Sequence, residues 1–153
     1  MQQEHAVARE DIVFAAKDAF PLSGTLFRGE GEGPLALISS AAAVPRGIYA
    51  RFAEHLVASR GFGAVLTYDY RGVAASRIPK SWKQKPSMAD WAEKDMAAAV
   101  DHLDSLSPGR SMVGIGQSFG GQALGLCGRA NRFDRYLMVA VMSGHWGYTA
   151  EPY

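Results

Sequence analysis

The stretch from Arg110 to Asn131, RSMVGIGQSFGGQALGLCGRAN, constrains this chain more than any other. A short apolar run, 111–115, ends in Gly116-Gln117-Ser118-Phe119-Gly120-Gly121, and a small-residue helical pattern begins at once. Gly-x-Ser-x-Gly between a strand and a helix predicts a turn so sharp that only small residues fit two before and two after the serine. Such a turn strains the serine backbone and projects its hydroxyl above the sheet, the arrangement called a nucleophile elbow.

Two other readings of the stretch stay open. Gly114-x-Gly116 after a strand is also the start of a dinucleotide-binding turn, with Asp134 at about the distance of a ribose-binding acid. Against it, Phe119 occupies the place of the third glycine, and Asp134 precedes the next apolar run instead of ending it. The third reading is an ordinary glycine-rich strand–helix turn. A phosphate-binding P-loop is excluded, because no lysine follows the glycines.

The remaining pattern supplies the context. Residues 11–17 and 22–28 read as an amino-terminal hairpin, since the connection between them is too short for a crossover. Residues 35–39 form an unbroken apolar strand of the kind buried on both faces. A small-residue loop, 40–45, leads to a helix over 48–60, with Tyr49, Phe52, Ala53, Leu56 and Val57 on one face and Gly61 ending it. Another apolar strand, 64–68, closes in Asp69-Tyr70-Arg71-Gly72. An irregular excursion follows, and Ser87 to Asp90 then resembles a capping box opening a helix that runs to about Leu106, with Trp91, Met96, Val100 and Leu103 inward. The last strand is expected over 136–142. Strand, helix, strand, helix, strand, helix, strand after a hairpin predicts a doubly wound, mostly parallel α/β sheet of about six strands in one domain, 1–153. Ligands in such sheets bind beyond the carboxyl ends of the strands. The Ser118 turn, the Ala41–Val44 loop and the Asp69–Gly72 loop all fall there.

Composition narrows the class of function. The 153 residues carry a net charge of +1, which gives no sign of nucleic acid or an acidic membrane as partner. Cys127 is the single cysteine, so no intrachain disulfide forms, in keeping with a cytoplasmic compartment. No apolar run approaches a membrane span or a signal core. No His/Cys/Asp group has metal-ligand spacing, and no cofactor is expected.

These residues resemble the α/β-hydrolase family, specifically its serine-hydrolase branch related to lipase- and aminopeptidase-like members. The resemblance rests on Gly116-Gln117-Ser118-Phe119-Gly120-Gly121, on Tyr68-Asp69-Tyr70-Arg71-Gly72, on the Asp90-Trp91 helix start and on the order of elements. It covers nearly the whole chain, but only the front half to two-thirds of a typical domain of that family. It implies Ser118 as nucleophile toward a small-molecule ester or other acyl substrate, with the backbone N–H groups of Phe119 and Ala42 as oxyanion donors. The loop departs from the family's usual His-Gly pattern, reading Ser39-Ser40-Ala41-Ala42-Ala43, and backbone donors tolerate the change.

In that family the acid and then the histidine follow the serine in the chain. Downstream of Ser118 stand only Asp134, His145 and Glu151 as candidates. Asp134 precedes the last strand and is expected at the wrong end of the sheet; His145, just past that strand, is the one candidate base. The triad acid and base are therefore expected to be missing and the isolated chain to be nearly inactive. The last strand is apolar without alternation, so ending there leaves a hydrophobic edge. Truncation after the sixth strand or coverage by a second chain, including a homo-oligomer, would account for it. Asp69, Arg71 and Asp90 read as structural, Trp82 and Trp91 as packing, Cys127 as buried, and His5, His55 and His102 as tail and helix-surface residues. Two other functions stay open: a non-catalytic α/β interaction module, and a dinucleotide-binding domain.

Overall fold

The computed structural model describes residues 6–143. His5, His145 and Glu151 lie outside the described residues. The hairpin strands are β1 (Ala8–Ala15) and β2 (Pro21–Arg28). After β3 (Leu35–Ser39) come a 3₁₀ turn (Arg46–Tyr49), α1 (Ala50–Arg60) and β4 (Ala64–Tyr68). A composite helix then runs through α2 (Met88–Asp90), a π-helical segment (Trp91–Met96) and α3 (Ala97–Leu106). It is followed by β5 (Met112–Gln117), α4 (Phe119–Leu126) and β6 (Arg135–Val139).

The six strands form one sheet in the order β1-β2-β4-β3-β5-β6. The β1–β2 and β2–β4 pairs are antiparallel, while β4–β3, β3–β5 and β5–β6 are parallel. Alternation along β3 shows how both faces are used. Leu35 and Leu37 join a core with Met96, Val100, Leu103 and Leu124, whereas Ala36 and Ile38 join Ala53, Leu56 and Val57 of α1. Helices thus cover both faces, with α3 and α4 on one and α1 on the other.

The side to which successive strands are added reverses between β3 and β5. From β3 the chain moves to β4 on one side; from β5 it moves to β6 on the other. The crevice at such a reversal is where open α/β sheets place ligands.

Several boundaries differ from the sequence pattern. Tyr49 belongs to the 3₁₀ turn and not to α1, and Phe52 faces partly outward, leaving Ala53, Leu56 and Val57 as the buried stripe. Gly61 does end α1, at φ +72°. The Ser87–Asp90 capping box forms: Ser87 N–H donates to Asp90 Oδ2 at 2.9 Å and Asp90 N–H to Ser87 Oγ at 3.2 Å. The π-helical turn after it was not legible from periodicity. The last strand is shorter than 136–142, because Ala140, at φ +50°, turns the chain back over α4. All five β6 residues are exposed, with Leu137 at 46% and Met138 at 52%, so β6 is a bare apolar edge among the described residues.

Candidate active site

Ser118 sits between β5 and α4 with φ +50° and ψ −118°. That combination lies outside the three regions open to residues with a Cβ, the positive φ alone being uncommon for a non-glycine residue. The strain of such a residue, about 1–3 kcal/mol, persists only where the surroundings over-determine it. They do so here. Ser118 N–H donates to the Val139 carbonyl at 2.9 Å, extending the β5–β6 ladder, and the Ser118 carbonyl accepts from Gly121 N–H at 3.0 Å.

The flanking glycines leave no slack. A Cβ on Gly116 would stand 2.4 Å from the Gly121 nitrogen, and one on Gly120 would stand 2.1 Å from the Ser39 carbonyl oxygen. These contacts seat the first turn of α4 directly against the end of β3. The Ser118 hydroxyl does not cap the helix that follows it, as an ordinary serine at that position would. Phe119 opens α4, so its N–H has no acceptor inside the helix, and the positive end of the helix dipole points the same way.

The loop after β3 forms the other wall. Three tyrosine hydroxyls hold three successive residues where β3 passes into it. Tyr68 Oη pairs with Ser39 Oγ at 3.0 Å, Tyr70 Oη donates to the Ser40 carbonyl at 3.1 Å, and Ala41 N–H donates to Tyr49 Oη at 3.1 Å. Tyr49 in turn donates to Gln117 Oε1 at 2.6 Å, next to Ser118. Burial pushes the Tyr68 and Tyr70 hydroxyls well above the ordinary phenol range, so both stay protonated. With Ala41 N–H occupied, Ala42 carries the next amide along the loop.

Below the turn the Phe119 ring packs edge-on to Tyr70 and Trp91, at 5.6 and 5.7 Å, while Tyr70 and Trp91 stack on each other at 5.3 Å. Trp91 Nε1 donates to the Arg71 carbonyl at 3.0 Å. Trp91 is thus part of the floor under the elbow.

The Asp69–Gly72 loop carries charge without free chemistry. Arg71 is 1% exposed. Its Nε donates to Asp95 Oδ1 at 2.7 Å and its N–H to Asp95 Oδ2 at 2.8 Å; Nη1 reaches Asp18 Oδ2 at 2.8 Å. The guanidinium also lies 4.7 Å over the Phe20 ring, which packs against Trp82. Burial pushes the Asp95 carboxyl up to about 6 against the pull of Arg71, whereas hydrogen bonding from Arg71 holds Asp18 below the usual carboxylate range. Asp69 accepts from Arg46 N–H at 2.7 Å, from its guanidinium, and from Ala75 N–H at 3.2 Å. Asp69 and Arg71 are structural, with partners other than each other.

The remaining candidates lie apart from Ser118. Asp134 Oδ2 accepts from Met112 N–H at 2.9 Å, at the amino end of β5 and so at the opposite end of the sheet from the elbow. It faces neither a triad nor a ribose at the Gly116 turn. His55 accepts from Arg60 Nε at 3.2 Å on α1, and His102 stacks on Phe14 at 5.0 Å against β1. Cys127 is buried, which raises its thiol. A cavity of about 480 Å³ between β1 and α3, reaching Lys94 and Arg129, shares no residue with the elbow. Among the described residues no group of His, Cys, Asp and Glu could hold a metal ion, and no helix is long and apolar enough to cross a membrane.

Sequence reasoning missed Tyr49, Arg46, Asp18 and Asp95 as parts of this framework. Only Asp95 left a trace, as an acid on the inward face of its helix beside Ala92 and Met96.

No family model and no curated protein matches the sequence. Solved structures do. DcsB in complex with its substrate analogue is 21% identical, with TM-score 0.73 over 88% of this chain and 45% of its own. The α/β hydrolase GrgF from Penicillium sp. sh18 is 22% identical, with TM-score 0.70 over 88% of this chain and 46% of its own. Brefeldin A esterase, a bacterial homologue of human hormone-sensitive lipase, is 17% identical, with TM-score 0.66 over 97% of this chain and 44% of its own. The chain spans less than half the length of the proteins it matches.

Proposed function

The chain has the α/β-hydrolase fold, and on that premise we propose that it carries the nucleophile of a serine hydrolase acting on an ester or other acyl bond. The observation that supports this most is the Ser118 backbone, strained at φ +50° between glycines that have no room for a side chain. A turn that only packs has no need of such a conformation.

In this mechanism Ser118 Oγ attacks the acyl carbon and passes its proton to a base. The oxygen that becomes negative is held by the N–H groups of Phe119 and Ala42, aimed before the reaction begins. Collapse expels the protonated leaving group, and water then releases the acid from the acyl-serine. Neither His55 nor His102 is placed to serve Ser118. The triad base and acid are expected to be missing from this chain; His145, outside the described residues, is the one candidate base that the sequence offers. Gln122 Nε2 donates to the Met142 carbonyl at 2.7 Å, so the chain is beside α4 three residues before His145. Without an oriented base and acid, turnover falls by on the order of 10⁶ in a serine protease, so the isolated chain is expected to be a poor catalyst.

The test is intact-mass detection of labelling by a fluorophosphonate. Slow labelling, abolished in Ser118→Ala and slowed further in His145→Ala, is the expected result. No labelling of folded chain overturns the claim that Ser118 is reactive in this chain alone and leaves the site incomplete. Turnover of an activated ester at the rate of a complete hydrolase overturns the claim that the site lacks its full base and acid.

The bare β6 edge favours another reading, in which the chain is an interaction module pairing through that strand. A concentration-dependent dimer in sedimentation, with Ser118 inert to the probe, would support it.

A further inference from the structure

Among the described residues the Tyr49 hydroxyl bonds both walls of the proposed site beyond the β3–β5 ladder, accepting from Ala41 N–H at 3.1 Å and donating to Gln117 Oε1 at 2.6 Å. Ala41 precedes the proposed oxyanion donor Ala42, and Gln117 precedes the proposed nucleophile. Tyr68 and Tyr70 fasten Ser39 and Ser40 to the sheet from below, but neither is bonded to the elbow strand. The two walls come from elements far apart in the chain, and an oxyanion hole made of one amide from each works only if their separation is held.

We propose that Tyr49 is a positioning residue that sets the register between the Ala41–Ala42 loop and the Ser118 turn, a role that rests on Ser118 being the nucleophile. By occupying Ala41 N–H, the phenol commits that amide inward and leaves Ala42 N–H as the loop's donor to the oxyanion. By bonding Gln117, it ties that donor to the strand end that carries Ser118. Phenylalanine at this position keeps the ring packing and removes both bonds.

The experiment compares the chain with Tyr49→Phe, Gln117→Leu and the double variant. Backbone amide exchange by NMR is read alongside the fluorophosphonate labelling of Ser118. In Tyr49→Phe, Ala41 exchange should quicken by about tenfold, the scale of one lost hydrogen bond, while amides of β3 and α4 keep their rates. The limiting labelling rate should fall about tenfold with the probe's half-saturation unchanged. The double variant should label no more slowly than the slower single one, because one bonded unit has been removed. Quicker Ala41 exchange with an unchanged labelling rate overturns the positioning role and leaves a packing contact. Unchanged exchange overturns the clamp itself. If the unsubstituted chain is not labelled at all, the claim that Ser118 is reactive in this chain alone fails, and Ala41 exchange alone then decides the clamp.

Discussion

The turns at the carboxyl ends of β4 and β5 hold the rim of this molecule in opposite ways. After β4, Asp69 and Arg71 are fully buried and bonded, through Arg46, Asp95 and Asp18. After β5, Ser118 is held by close backbone packing against glycines, and its hydroxyl does not cap the helix that follows. The β4 turn has the residue types that resemble catalytic machinery, yet its charges are committed to the fold. The β5 turn is plain in composition, and its serine hydroxyl is not committed to capping the helix. Buried titratable side chains at a rim can thus be wholly structural, as Asp69 and Arg71 are in their bonding.

The largest expected effect lies on the β4 side. Arg71→Met leaves Asp95 buried without its partner and should cost about 3–5 kcal/mol in urea denaturation. Replacing both, as Arg71→Met with Asp95→Leu, should cost less than the single change, because no unpaired charge stays buried. A smaller cost for Arg71→Met than for the pair would show that the network is not what secures this turn.

On the β5 side the sign reverses. Ser118→Gly should raise stability by about 1–3 kcal/mol over Ser118→Ala, since glycine adopts φ +50° and ψ −118° without the penalty that alanine shares with serine. Equal melting midpoints for the two variants would mean that the strain is absent.

The smallest effect is a pH dependence whose sign differs between two acids in the first half of the composite helix. Asp95, raised to about 6, keeps its proton in the folded chain after the unfolded one has lost it. Its contribution to stability therefore falls as pH rises from about 4 to about 6. Asp90 is held at about 2 by hydrogen bonding from Lys94, then by Ser87. Its contribution is complete above the unfolded value near 4 and is lost as pH falls toward 2. Denaturation midpoints from pH 2 to 7 should show the upper slope flattened in Asp95→Asn and the lower one in Asp90→Asn.

The elbow was legible because its cause is local. Gly116 has no room for a side chain beside Gly120 and Gly121, and an apolar strand before and a helix after set the context; the crowding of Gly120 by Ser39 and Ser40 is long-range. The order of elements, the Ser87–Asp90 cap and the exposure of β6 followed from patterns of the same short range. The position of Asp134 at the far end of β5 followed from its place ahead of the last strand. The apolar stripe of α1 was misjudged at Phe52, which is 39% exposed, whereas Tyr49 packs with Ala53, Leu56 and Val57 as expected although it belongs to the 3₁₀ turn.

The sequence by itself determined that this chain builds a doubly wound sheet with a strained serine at its rim, since periodicity and steric exclusion act between near neighbours. Only the tertiary structure decided which groups brace that serine. Tyr49 and Gln117 are separated by 68 positions, and Arg71 by 53 from Asp18 and 24 from Asp95. Bonds over such distances depend on which strands lie side by side, and they leave no periodic mark on the chain.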